Sequence, residues 1–221
     1  MGLILALFFA LVAVSHGDQI SGVTTNRTVV KELTVGNGGN YGYWTDPEFC
    51  PRGSFASGYN MKIEDNQFAG DDTALNAIKL ICTDKSGHPT GNGITSGQGS
   101  FGDWGKTETC NQPYHSANFL TAFTLQVEKP QGGGDDTSAN FVKFYCRDLA
   151  GERNETVLYR PPGTGHWGTY GEWSESCANG TAICGLTTKI ESVQNSGDDT
   201  SLNDVVFYCC EESSQIPGIV G

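Results

Sequence analysis

Acidic pairs recur three times along the chain, at Asp71/Asp72, Asp135/Asp136 and Asp198/Asp199. Two carboxylates that flank one bond, about 5–9.5 Å apart and in unlike environments, can hydrolyse or transfer an oligosaccharide. A single reaction centre needs one such pair, so a triplicated pair is better explained by folding. We interpret each pair as part of a Gly-Asp-Asp-Thr turn, in which the carboxylates accept hydrogen bonds from backbone amides two residues on.

The same carboxylates could supply oxygen ligands to calcium, but the loop of alternating ligands that such a site needs is absent. A serine hydrolase is not indicated either, because the chain lacks a Gly-x-Ser-x-Gly motif and its histidines occupy unmatched repeat positions. We therefore expect no catalytic residue, no metal and no cofactor, and we interpret the Glu that ends each preceding strand as either a solvated group or one that braces the turn.

Aromatic and polar residues cluster most densely in residues 165–173. Sugar sites combine an aromatic platform with acidic and amide groups in loops on a rigid scaffold. Similar glycine-rich stretches precede Trp44, with Tyr41 and Tyr43 beside it, and Trp104. The alternative is that these rings seal the ends of the fold. The candidate carbohydrate-binding residues are His166, Trp167, Tyr170, Glu172, Trp173, Trp44 and Trp104.

One unit of sequence is present three times. Residues 59–64, 123–128 and 186–191 each end in Glu; the first Asp of the pair follows seven residues later, and a Cys eleven residues after that. The first Asp residues are spaced by 64 and then 63 residues. Upstream of each unit lies a lead, a short glycine- and tryptophan-containing stretch that ends in its own cysteine: Gly42 to Cys50, Gly102 to Cys110, and Gly165 to Cys177.

Apolar residues alternate along each unit, as at Tyr59, Met61 and Ile63, with polar residues such as Lys62 between them. This period of two predicts half-buried strands, and short polar turns between them predict antiparallel pairing. Three sheets with one apolar face each can bury those faces around a common axis. We expect one sheet per unit and a three-walled prism with pseudo-threefold symmetry, a single all-β domain over residues 18–210 with units at about 29–90, 91–153 and 154–210.

The apolar N-terminus, residues 1–17, is predicted to be a signal peptide cleaved between Gly17 and Asp18, with Ser15 and His16 as the second choice; a retained N-terminal helix is the alternative. No later segment is long and apolar enough to span a membrane. The secretory route would make the Asn-x-Thr tripeptides at Asn26, Asn154 and Asn179 candidate glycosylation sites. Residues 211–221 have no counterpart in the repeat and are predicted to be a flexible tail. The net charge of -12 excludes the basic surface of a nucleic-acid or membrane-surface binder.

Eight cysteines in a secreted chain indicate four disulfides. The repeat suggests a symmetric scheme that pairs Cys50 with Cys82, Cys110 with Cys146 and Cys177 with Cys209, and leaves Cys184 for Cys210. Because neighbouring residues of a strand point to opposite faces, Cys209 and Cys210 need different partners. A cyclic scheme that links one unit to the next stays open at this point.

The repeat resembles the vitelline membrane outer layer protein family in its Cys-Pro-x-Gly stretch at Cys50, in residues 56–64 and in residues 70–76. The resemblance runs from about Val29 to Cys210 and recurs in all three units. It implies a β-prism of three Greek-key sheets, a fold shared with plant lectins, and a place in an extracellular coat. The second unit departs from the pattern after Cys110, and the third adds Cys184.

We expect a secreted, extracellular structural component of a coat or matrix, whose partners are other coat proteins or glycans. Its acidic charge would also attract a basic protein. A carbohydrate-binding, lectin-like module is the first alternative, and an oligosaccharide transferase or hydrolase is the second.

Overall fold

The computed structural model describes residues 27–67, 72–110, 117–132, 136–152, 155–194 and 199–212. Every regular element in these ranges is a β-strand, and none of them contains a helix that could cross a membrane. The predicted signal peptide, Asn26, Asn154, the first Asp of each acidic pair and nearly all of the predicted tail lie outside these ranges.

Six long strands form three hairpins, one in each sequence repeat. The hairpins are β4 (Ser54–Ile63) with β5 (Leu75–Asp84), β8 (Phe119–Val127) with β9 (Ala139–Arg147), and β12 (Thr181–Ile190) with β13 (Leu202–Glu211). The short strands are β1 (Val29–Leu33), β2 (Tyr43–Trp44), β3 (Glu48–Phe49), β6 (Asp103–Trp104), β7 (Glu108–Thr109), β10 (Thr156–Leu158) and β11 (Thr169–Tyr170).

The hairpins are the centres of three sheets, in which all pairings are antiparallel. Sheet A has the order β1-β13-β12, with β2 and β3 both beside β12. Sheet B has the order β5-β4, with β6 and β7 beside β4, and sheet C has the order β10-β9-β8-β11. The prediction of three antiparallel sheets is confirmed.

The expectation of one sheet per repeat is wrong, because each lead pairs with the hairpin of the preceding repeat. The leads of the second and third repeats, which contain β6 and β11, pair with β4 and β8. The lead of the first repeat pairs with β12 of the third. In each sheet, the chain outside the hairpin first runs beside the second long strand and then crosses over to pair with the first long strand. In sheet C, for example, β10 lies beside β9 and β11 lies beside β8, which is the Greek-key order. Sheet A is therefore completed by both ends of the described chain.

Inward-facing side chains of the three hairpins fill the prism. Phe207 of sheet A packs edge-on against Phe123 and Phe144 of sheet C, with ring centroids 4.7 and 5.2 Å apart, and Tyr59 of sheet B lies 4.8 Å from Phe144. The predicted apolar faces therefore do meet at one axis. The polar faces of these strands are covered in part as well, since Gln126 is only 3% exposed under the lead that crosses sheet C.

Four disulfides occupy the pairs of the symmetric scheme. Cys50–Cys82 joins the end of β3 in sheet A to β5 in sheet B, and Cys110–Cys146 joins sheet B to sheet C. Cys177–Cys209 joins the lead over sheet C to β13 in sheet A, while Cys184–Cys210 links β12 and β13 within sheet A. Three bridges within sequence repeats thus link the sheets in a closed ring.

Candidate functional site

The second Asp of each acidic pair and the preceding Glu are used in the hairpin turns. In the first repeat Glu64 Oε2 accepts hydrogen bonds from the amide and hydroxyl of Thr73, at 3.0 and 2.7 Å, and Oε1 accepts one from Gln67. Asp72 Oδ1 accepts the Gln67 amide at 3.0 Å. The same bonds recur around Glu128 and around Glu191.

The turn interpretation therefore holds for the described Asp, but the amide it binds lies five residues earlier, not two residues later. The glutamine that supplies this amide was overlooked in the sequence, although it follows the Glu by three residues in every repeat, at Gln67, Gln131 and Gln194. Of the two expected roles, solvated group or turn brace, Glu64 and its counterparts have the second.

A buried asparagine fastens the chain near the start of each glycine-rich lead. Asn76 donates to Thr73 Oγ1 at 2.7 Å, and its Oδ1 accepts the backbone amide of Phe101 at 3.1 Å. Asn140 and Asn203 make the equivalent bonds. A polar residue near the end of the first long strand of each hairpin makes a further hydrogen bond to this part of the chain. In the first repeat, Lys62 Nζ donates to the Gly99 carbonyl at 2.9 Å. The leads are therefore held rigidly at the hairpin-turn end of the prism.

Two grooves open at this end, between neighbouring walls. Groove 1 has a volume of about 490 Å³ and lies between residues 36–41, which precede the first lead, and residues 127–130 and 169–172, at the edge of sheet C. Groove 2 has a volume of about 470 Å³ and is lined by Ile63 and Ala74 of sheet B and by residues 164–166. The two grooves occupy related positions around the pseudo-threefold axis.

The structure divides the predicted carbohydrate-binding residues among several places. Tyr170 and Glu172 line groove 1, together with Tyr41, and His166 lines groove 2. The other four lie away from both groove linings. Trp173 stacks on Tyr145 of sheet C, Trp104 lies under the Lys79 ammonium, Trp167 contacts the His166 ring, and Trp44 is 48% exposed.

Tyr170, and not Trp167, is the structural equivalent of Trp44 and Trp104. Each of these three residues ends a two-residue strand that follows a glycine with positive φ, and in the third repeat that glycine is Gly168 (φ 74). The alignment of the third lead on Gly165 and Trp167 is therefore corrected. One additional residue between Gly168 and Cys177 hides this register in the sequence.

Tyr170 is held firmly at the edge of groove 1. Its hydroxyl donates to the Gly163 carbonyl at 2.9 Å, and the Lys143 ammonium lies 4.0 Å from its ring centroid. Burial raises the pKa of this phenol above its ordinary value. Asn37 bridges the walls of the groove by donating to the Leu125 carbonyl at 2.8 Å. Groove 1 therefore presents fixed aromatic and polar groups, which suits recognition better than proton transfer.

Asp204 lies beneath the loop that forms one wall of groove 1. A Cβ atom on Gly38 would lie 2.1 Å from the Asp204 carboxyl carbon, so this loop closes over the acid only because residue 38 is glycine. Burial raises the pKa of Asp204 to about 6, while its hydrogen bond from the Val205 amide and the charge of Lys189 oppose that rise. Ala77 and Phe141 occupy the equivalent positions in sheets B and C.

Among the described residues, no group of three or more His, Cys, Asp and Glu side chains is placed to hold a metal ion. Glu128 lines groove 1, but its oxygens already accept hydrogen bonds from Thr137 and Gln131. The chemistry that the described site offers is therefore binding through aromatic rings, amides and carboxylates.

Comparison with known proteins places residues 31–212 within the model of the family described as Vitelline membrane outer layer protein I. The chain is 43% identical to a mouse vitelline membrane outer layer protein 1 homolog over 179 residues, covering 80% of this chain and 82% of that protein. It is 44% identical to a human homolog over 186 residues, covering 83% of each. Frutapin, a lectin from Artocarpus incisa, superposes with a TM-score of 0.48 at 12% identity, covering 85% of this chain and 99% of that one.

Proposed function

Because the chain belongs to the vitelline membrane outer layer protein I family, we propose that it is a secreted structural component of an extracellular coat. The observation that carries this proposal is the ring of disulfides Cys50–Cys82, Cys110–Cys146 and Cys177–Cys209, each of which ties one sheet to the next. A prism braced in this way resists unfolding outside the cell, where disulfides persist.

The chemistry of the acidic repeats supports a structural role. Glu64, Glu128 and Glu191 each accept three hydrogen bonds within their own turn. A carboxylate used in this way is not free to protonate a leaving group or to activate water. Folding therefore accounts for the geometry that the three turns share, and no reaction is needed to explain it.

The acidic charge supports association with a basic component of the coat. Net charge is -12 over the whole chain, and acidic residues such as Glu32, Asp46 and Glu48 are exposed to solvent. Complementary charge of this kind accelerates association and weakens as salt screens it. A basic coat protein is the partner that this surface fits.

Sequential extraction of the coat from the tissue that makes the protein tests both statements. We expect the protein in the coat fraction, with release increasing from low to high salt. Recovery solely in the free secretion would contradict the structural role. Retention in the coat that does not change with salt would contradict the basic partner and leave the structural role standing.

Carbohydrate binding in groove 1 is a second candidate function. It is favoured by the pairing of Tyr41, which is 47% exposed, with Tyr170 across a groove of about 490 Å³ that also presents Asn37 and Glu172. Aromatic faces with nearby amide and carboxylate groups match the apolar faces and hydroxyls of a sugar ring.

A glycan array with the secreted, oxidised protein tests this candidate. We expect Tyr41→Ala and Glu172→Gln to abolish glycan retention while circular dichroism stays unchanged. Tyr43→Ala is the matched control, because Tyr43 is an exposed aromatic residue two positions after Tyr41 and lies outside the groove lining. A blank array from folded wild-type protein, or equal loss in the Tyr43 variant, would exclude groove 1 as the sugar site.

A further inference from the structure

The Asn179-Gly180-Thr181 tripeptide lies in a tight turn that begins β12. Gly180 has a φ of 82°, and both the amide and the hydroxyl of Thr181 donate to the Ala178 carbonyl, at 3.0 and 2.7 Å. The turn therefore requires a residue that tolerates positive φ followed by a hydroxyl residue. Gly180 and Thr181 have a structural reason to be present.

The first repeat contains the same turn with a different residue at the Asn position. There Gly53 has a φ of 80°, and the amide and hydroxyl of Ser54 donate to the Pro51 carbonyl at 3.0 and 2.6 Å. The residue equivalent to Asn179 is Arg52. The same turn thus forms without an asparagine, so the turn itself does not require Asn179.

Asn179 itself is exposed. Its side chain lies over Gly151, where an added Cβ would come within 2.2 Å of Asn179 Oδ1, and the Gly180 amide donates to the Leu149 carbonyl at 2.6 Å. The amide side chain therefore rests on the loop after β9 at the surface. An Asn-x-Thr acceptor in this position can carry a large polar group without displacing the core.

We propose that Asn179 carries an N-linked glycan, an inference that rests on the secretory route of the proposed function. In the transfer, Asn179 Nδ2 forms a bond to C1 of the sugar of a lipid-linked oligosaccharide diphosphate. The bond between C1 and the diphosphate oxygen breaks, Nδ2 loses a proton, and the lipid diphosphate leaves. The transfer precedes closure of the turn, because the Thr181 hydroxyl that defines the acceptor is bound to Ala178 in the folded protein.

The position of Asn179 sets where the glycan projects. Strand β12 runs from Thr181 to Ile190, ten residues or about 30 Å, and grooves 1 and 2 lie near the end at which β12 finishes. A glycan on Asn179 covers the opposite end of the prism. It therefore leaves both grooves accessible and gives the molecule one glycosylated end and one protein-exposed end.

The test is expression of the full chain in a secreting animal cell line, followed by peptide mass spectrometry of medium and cell fractions with and without peptide N-glycosidase. We expect the Asn179 peptide to carry a glycan, which the enzyme removes with conversion of Asn to Asp. Asn179→Gln should lose this glycan, and Thr181→Ser should keep it. Arg52→Asn creates an acceptor in the matched turn of the first repeat, which should then become glycosylated.

An unmodified Asn179 in secreted protein overturns the inference and leaves the coat function intact. A chain that never enters the secretory pathway, with Asn179 unmodified in the cell fraction, overturns both. Glycosylated protein that the coat does not retain overturns the coat function alone. Separate Asn26→Gln and Asn154→Gln variants keep the glycan masses of the other two tripeptides from being attributed to Asn179.

Discussion

Ser201 of sheet A donates from its hydroxyl to Asn76 Oδ1 of sheet B at 2.9 Å, although the two residues are 125 positions apart. Ser138 of sheet C makes the matching bond to Asn203 of sheet A at 3.0 Å. Ala74 occupies the third equivalent position, so the bond from sheet B to Asn140 of sheet C is missing from this ring. All three residues share a left-handed backbone, with φ of 52°, 53° and 47°.

Replacing Ala74 with Ser should complete the ring. Because Ser and Ala have similar backbone costs at the same positive φ, the difference isolates a buried hydrogen bond, which contributes about 0.5–1.5 kcal/mol to the free energy of unfolding. Urea unfolding at neutral pH measures it. Ser138→Ala should lower stability by about 1 kcal/mol. An Ala74→Ser protein no more stable than wild type would show that a serine at position 74 does not form the hydrogen bond to Asn140.

Glu128→Gln should destabilise the second repeat. The carboxylate accepts the amide and hydroxyl of Thr137 and the side chain of Gln131, and an amide group keeps one acceptor oxygen instead of two. We expect a loss of about 1–3 kcal/mol in the free energy of unfolding, measured by urea titration. Glu172→Gln, in an exposed residue of groove 1, is the control and should change stability little. Equal stability of both variants would argue against a structural role for Glu128.

Removing the Cys177–Cys209 bridge should separate two walls of the prism. The loop between these cysteines spans 32 residues, so its release restores about 3–4 kcal/mol of chain entropy to the unfolded state. Hydrogen exchange in Cys177→Ala/Cys209→Ala protein should rise along β13 and along the lead over sheet C. In Cys184→Ala/Cys210→Ala protein the increase should stay within sheet A, whose strands remain paired. Identical exchange maps would contradict this distinction.

Asp204 should make stability depend on pH in a direction opposite to that of most carboxylates. Its folded pKa of about 6 exceeds the ordinary 3.8, so the folded protein binds this proton more tightly than the unfolded chain does. The free energy of unfolding therefore falls as pH rises between these values. The full penalty, roughly 1–2 kcal/mol after solvent screening, is present above pH 6.

Asp204→Asn removes that titration. The variant should be more stable than wild type at pH 7.5 and nearly equal to it at pH 4, as measured by urea unfolding at both values. Comparing the two proteins at each pH cancels the contributions of the other acids. A variant that is less stable at pH 7.5 would mean that the charge of Lys189 and the hydrogen bond from the Val205 amide stabilise the Asp204 carboxylate by more than its burial costs.

The sequence predicts the hairpins well because ten-residue strands such as β4 and β12 carry an alternating pattern. The triplicated spacing also suggests the symmetric disulfide scheme that the structure has, but it leaves a cyclic scheme open. The pairing of the leads cannot be predicted in this way. A two-residue strand such as β6 has no periodicity, so only tertiary pairing decides that it joins β4 and not a later strand.

The candidate site could be predicted only in part. Tyr170 and Glu172 were identified from local composition, but their partners Asn37 and Tyr41 come from another repeat and another wall. Proximity between walls depends on how the leads fold over the sheets, which no local pattern encodes. The same composition also points to Trp173, but the structure places it against Tyr145, away from the groove linings.

Each lead pairs with the hairpin of another repeat, so no repeat forms a complete sheet alone. The lead of the first repeat completes sheet A beside β12 of the third repeat. The three repeats therefore form a closed ring, which cannot be extended one repeat at a time as a solenoid can. A chain with a single repeat could build the same prism only as a trimer, with each subunit donating its lead to the next. Gene triplication would then have covalently joined an assembly that already existed.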